Sequence, residues 1–186
     1  FLQLLYFVLP VYIVGWGVQY YFIGPFIEKF YIEEARESLA SKAYLIQSAI
    51  NMKKSSISLQ DFVNASSELS EIRITIMDTT GKVFADSEED PSLMENHRAG
   101  SKRQEIETAI KSGIGSAQRY STTINEDMLY VAILVDQESR PIIIRTSNSM
   151  ASLSSSINEA RERIILISII ILLVIIPVVI ITSSFI

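Results

Sequence analysis

The sequence predicts an α+β domain, a five-stranded antiparallel sheet with a long N-terminal helix, flanked by two transmembrane helices. Three observations carry that expectation. Every charged residue lies between Glu28 and Arg163, which leaves uncharged stretches at 1–27 and 164–186. Apolar residues recur at helical steps from Ile32 to Ile50, and the period changes to two after Glu71. Short strand-like runs separated by polar turns come next, with one helical segment between the second run and the third.

The uncharged ends each supply the roughly 20 apolar residues that a hydrocarbon core of about 30 Å requires. Glu28 and Lys29 bound the first, and Arg161, Glu162 and Arg163 bound the second, because a charge at the centre of a span costs about 2.5–3.5 kcal/mol. A signal peptide is the alternative for the first stretch, but its apolar part is shorter, roughly 7 to 15 residues. Tyr20, Tyr21, Phe22 and Phe26 resemble an interfacial aromatic belt rather than a cleavage region. The expected division is a first span over 1–27, a domain over 28–148, an exit helix over 149–163 and a second span over 164–186. Starting at Phe1 without methionine, the chain reads as a piece of a longer protein. Lys29, Arg36, Arg161 and Arg163, taken alone, favour a cytoplasmic central segment, and stronger basic flanks beyond the chain would reverse that.

Beyond Glu28, the spacing of Ile32, Ala35, Leu39, Ala43, Ile46 and Ile50 continues the first helix outward as an amphipathic one. Lys53–Ser56 interrupts it, and Ser58 is placed to cap a second helix over 59–69. Ile72, Ile74 and Ile76 alternate with Arg73, Thr75 and Met77 as in a strand, Asp78–Gly81 makes a turn, and 82–85 returns. A helix over 103–111 should stop at Gly113, with Gly113-Ile114-Gly115 read as stop and turn. Strands are expected over 116–122, 128–135 and 141–146. A hairpin, a helical crossover and a three-strand meander most simply form one antiparallel sheet with helices on one face. Met150, Leu153, Ile157, Ala160, Ile164 and Ile167 then mark an a/d seam entering the second apolar stretch. That seam suits a homodimer, or packing on its own domain, and its first four residues are the candidates for transmitting a signal.

Composition excludes several chemistries. There is no cysteine, hence no disulfide and no thiolate metal site. The net charge of −5 lies in the central segment and argues against a nucleic-acid partner. His97 is the single histidine, and zinc would need almost wholly carboxylate ligands, so neither metal nor cofactor is expected. The acidic run Asp86–Asp90 lacks the spacing of a calcium loop and suits a solvated turn. Asn64-Ala65-Ser66 is a sequon of the kind that arises by chance. No nucleophile with a base and no nucleotide motif stands out, so no catalytic residue is expected. The ligand candidates are Arg119, Tyr130 and Arg145, on three successive strands, which could together hold an anion. Arg119 and Tyr120 are neighbours in a strand and cannot both face inward. The plainer reading puts the tyrosines in the core and the arginines in water.

The architecture resembles the extracytoplasmic PAS-like (Cache) sensor fold. Ile76-Met77-Asp78, Asp86-Ser87, Asp90-Pro91-Ser92-Leu93-Met94-Glu95-Asn96-His97, Gly113-Ile114-Gly115, Arg119-Tyr120-Ser121 and Met128–Ala132 resemble the sensor region of phosphate-regulon-type sensor histidine kinases. Where that family often has Arg-Pro-Glu after the histidine, this chain has Arg98-Ala99-Gly100. The resemblance implies a dimeric, multi-pass receptor of the bacterial inner membrane. Its central domain would lie outside the cytoplasm, and a kinase would come after the second span and pass phosphate to a response regulator. It does not imply that this domain binds phosphate, and the stimulus stays open. A chemoreceptor, a cyclic-nucleotide signalling enzyme or a membrane-anchored scaffold could share the layout.

Overall fold

The computed structural model describes residues 2–52, 58–91, 103–121, 124–136 and 140–184. The element order is α1 (Leu2–Met52), α2 (Leu59–Ser70), β1 (Arg73–Asp78), β2 (Val83–Asp86), α3 (Gln104–Ser112), β3 (Ile114–Ser121), β4 (Glu126–Val135), β5 (Ile142–Ser149) and α4 (Met150–Ser184). They fall into two compact units, one formed by 1–32 with 153–186 and the other by 33–152. The expected interruption at Lys53–Ser56, the Ser92–His97 motif and His97 itself lie outside the described residues.

The unit over 33–152 contains a five-stranded sheet of order β2-β1-β5-β4-β3, with every neighbouring pair antiparallel. Local chemistry sets its punctuation. Ser58 caps α2 by accepting a hydrogen bond from the Asp61 N–H at 3.0 Å, and Gly113 ends α3 in the left-handed conformation that glycine adopts without a Cβ penalty. In the first hairpin, Asp78 Oδ1 accepts from the N–H groups of Thr80 and Lys82, both at 2.9 Å, and from the Thr80 hydroxyl. Partial burial opposes ionisation of Asp78, but these hydrogen bonds outweigh it and hold its carboxyl below the usual range.

Two expectations change here. Helices cover both faces of the sheet rather than one. On one face α3 packs Ile106 and Ala109 against Met77, Ala132 and Ile143. On the other, where Ile74, Ile76, Val131, Ile133 and Ile144 are buried, the Thr146 hydroxyl donates to the Leu39 carbonyl of α1 at 3.0 Å. The alternation of β1 therefore separates an apolar buried face from a polar buried face, not core from water. The second change concerns Gly115, which belongs to β3 and not to a turn. A Cβ at Gly115 would overlap the Glu105 carbonyl oxygen, so only glycine lets α3 lie this close to the strand.

In the unit formed by 1–32 and 153–186, the Tyr12 hydroxyl donates to the Ser168 carbonyl at 2.7 Å, and Ile27 and Ile157 are buried. Large apolar side chains, among them Tyr21, Phe22, Phe26, Leu166 and Leu173, are exposed. Among the described residues no helix is long and apolar enough to cross a membrane. The expected spans over 1–27 and 164–186 each extend onto positions outside the described residues, and they rest on the sequence alone.

Gly115→Ala forces α3 away from β3, because the obstruction is backbone and cannot rotate aside. The expected cost is about 1–3 kcal/mol, read as a lower urea midpoint at unchanged slope. An unchanged midpoint would mean that α3 is not held this closely.

Candidate ligand site

The sheet register builds the site. Directly opposed residues face the same way, so Gly115, Ala132, Arg145, Thr75 and Asp86 form one row across the sheet. Ala117, Tyr130, Ser147 and Arg73 form the adjacent row on the same face. Arg119 lies two residues beyond Ala117, on that face as well. The three ligand candidates thus meet: the Arg119 guanidinium carbon lies 4.0 Å from the Tyr130 ring centroid, and that of Arg145 lies 5.1 Å from it. Both distances are within the range of cation–π attraction. Tyr120 faces the opposite way, is exposed and donates its hydroxyl to Asn125.

Arg145 corrects the expectation that the arginines face water. Its side chain is 4 % exposed, whereas that of Arg119 is 30 % exposed. Arg145 Nη2 donates to Thr75 Oγ1 at 3.0 Å, and that hydroxyl in turn donates to Asp86 Oδ2 at 2.7 Å. Glu105, on the first turn of α3 and with a wholly buried side chain, supplies the nearest carboxylate. Its Oε1 is 3.1 Å from Arg119 Nη2 and 3.7 Å from Arg145 Nη1, the second too long for a hydrogen bond. Among the described residues, Arg145 Nε and Nη1, Arg119 Nε and Glu105 Oε2 are buried with no hydrogen-bond partner.

Burial, followed by the charge of Arg103, pushes the Arg145 guanidinium down to about 10, while Glu105 and Asp86 act in the opposite direction. Burial and the neighbouring Arg119 lower Arg103 as well. A base whose pKa falls on folding costs stability at every pH below that value, neutral pH included, because the charged form is the disfavoured one. Arg145 is still protonated there. A buried cation with two idle donors has the chemistry to take up a carboxylate or phosphate oxygen pair.

Sequence reasoning missed Glu105, Arg73, Thr75 and Asp86. Glu105 lies on the helix expected over 103–111, and Asp86 opens the acidic run that suits a solvated turn. Instead Asp86 points inward and accepts from Arg73 Nε at 3.0 Å and from the N–H groups of Glu88 and Glu89. The legible signal was the Arg73-x-Thr75 spacing, which puts two polar side chains on one face of a strand otherwise rich in isoleucine. Of the transmission candidates, Met150 opens α4, Leu153 and Ala160 are half-buried, and Ile157 is 7 % exposed within a single copy of the chain.

No family model and no curated protein matches the chain. Solved structures do. The sensor domain of E. coli DcuS superposes with a TM-score of 0.51 at 13 % identity, covering 69 % of this chain and 98 % of that one. The ligand-binding domain of the Pseudomonas aeruginosa PAO1 amino-acid chemoreceptor PctC, in complex with GABA, gives 0.53 at 10 % identity, covering 76 % and 68 %. Over the matched part the chain therefore shares the fold of these two domains, a Cache-like α+β fold with a five-stranded antiparallel sheet.

The double variant Arg145→Met, Glu105→Leu removes both members of the buried pair. Its stability in urea should stay within about 1 kcal/mol of the parent or rise, the behaviour of a buried ion pair replaced by apolar side chains of similar size. Arg145→Met alone leaves the buried Glu105 carboxylate without one of its ion partners and should be less stable than the double variant; a double variant as destabilised as the single one would contradict this.

Proposed function

We propose that this chain is the input region of a bacterial membrane receptor, in which a small carboxylate- or phosphate-bearing anion binds at Arg145, Arg119 and Tyr130. The observation that carries this reading is Arg145, buried on the polar face of the sheet with two donors unpartnered among the described residues. A cation in that position is costly unless something anionic completes it. The similarity to sensor and ligand-binding domains supports the reading at the level of fold.

The uncharged stretches at 1–27 and 164–186 support membrane anchoring at both ends, as do the exposed apolar side chains on the helices they form. In this reading the stretches are spans, the central domain is extracytoplasmic and the receptor is a homodimer in the inner membrane. Because Ile157 is already covered within one copy, the dimer would pair α1 and α4 of both copies as a four-helix bundle. Ligand occupancy would bias α4 through Met150, Leu153, Ile157 and Ala160, since α4 begins where β5 ends. The finer identity, a phosphate-regulon-type sensor histidine kinase acting on a response regulator, rests on the sequence resemblance. Sequence beyond Ile186 separates it from a chemoreceptor or a cyclic-nucleotide enzyme.

The purified chain in lipid nanodiscs, titrated with phosphate, sulfate, acetate, succinate and citrate, should show a saturable rise in melting temperature with at least one of them. Arg145→Met should abolish that rise. No response to any anion, or an equal response in the variant, would refute the site. In the full-length receptor, one residue inserted after Ile157 rotates the remainder of α4 by about 100° and should lock or abolish the response. An unaltered response would exclude transmission through α4.

A further inference from the structure

We propose that Glu105 is a tethered competitor for the anion, occupying its place between Arg119 and Arg145 and swinging out when the ligand enters; this rests on the anion site proposed above. The two buried carboxylates of this sheet face differ sharply in their support. Asp86 is saturated: Oδ1 takes Arg73 Nε and two backbone N–H groups, and Oδ2 takes the Thr75 hydroxyl. Such a carboxylate is fixed by its partners and belongs to the fold. Glu105 has the same depth and little of that support. One oxygen accepts a single hydrogen bond from Arg119 and stands 3.7 Å from Arg145, while Oε2 has no partner among the described residues.

Two arginines sharing one oxygen of a carboxylate, with neither pair bidentate, is a poor arrangement for all three groups. An incoming anion with two oxygens would engage the idle Nε and Nη1 of Arg145 and repel the Glu105 carboxylate at close range. The contact between α3 and Gly115 holds the helix backbone against β3, so the movement falls to the Glu105 side chain and not to the helix. Arg73, paired with Asp86, takes no part. Glu105 thereby becomes a specificity-determining residue. An anion binds only if it outcompetes a carboxylate already in place, which discriminates against singly charged ions such as acetate in favour of multiply charged ones.

The test compares the intact chain with Glu105→Gln and Glu105→Asp in nanodiscs, titrating inorganic phosphate, sulfate and acetate by melting temperature and calorimetry. Glu105→Gln should bind phosphate or sulfate at least about tenfold more tightly than the parent and acquire measurable acetate binding. Glu105→Asp, whose carboxylate is withdrawn by one methylene, should fall between the two, and it carries the test should the glutamine variant not fold. Equal or weaker binding in both variants, with binding in the parent intact, would overturn the competitor role and leave the anion site standing. Silence of all three proteins toward all three anions would overturn both.

Discussion

The arrangement depends on one constraint, a guanidinium placed in the middle row of a sheet that is covered on both faces. Arg145 cannot reach bulk water by extension, since its side chain is 4 % exposed. It must be satisfied by what the sheet brings to it. The register supplies Thr75 directly across β1, which satisfies one nitrogen, and α3 supplies Glu105, which compensates part of the charge but not the remaining hydrogen bonds. A folded protein carries such an imbalance at a cost of a few kcal/mol, and sites that bind charged ligands are where such costs are found.

The same face contrasts support with readiness. At the β1–β2 side, Arg73, Thr75 and the turn after β2 form a closed set around Asp86, both of whose carboxylate oxygens accept hydrogen bonds. At the β3–β4 side, Arg119, Tyr130, Glu105 and Arg145 approach one another without closing. The closed set fixes the strand that presents Thr75 to Arg145, and so positions the open set. Gly115 performs the matching task for α3, because its missing Cβ allows the helix to carry Glu105 down to the sheet.

Much of the fold was legible because its signals are local. Ser58 at a cap, Gly113 after the last helical turn, the alternation of β1 and the Asp78–Gly81 turn each act within a few residues. The five-stranded antiparallel sheet was expected from the order of elements, whereas the strand order that sets β5 beside β1 was not. The coverage of both faces was not legible, since the polar positions of β1 read as solvent-facing when their partners lie across the sheet or on another helix. Arg119, Tyr130 and Arg145 could be nominated from strand spacing, but nothing local marks Glu105 or Asp86 as buried. Pairing over such sequence distances is decided by register, which a single sequence does not display. The a/d stripe of α4 was legible as a stripe, while the sequence left open which surface covers it, and Ile157 is covered within one copy.

The most direct measurement is a crystal structure of the chain grown in selenate, a heavy analogue of sulfate, with anomalous data collected at the selenium edge. The expected result is a single strong peak within about 4 Å of Arg145 Nε and Nη1, its oxygens in hydrogen-bond range of them, with the Glu105 side chain rotated away. A selenium peak confined to surface lysines, with Glu105 still beside Arg119, would contradict the assignment of this sheet face as an anion site.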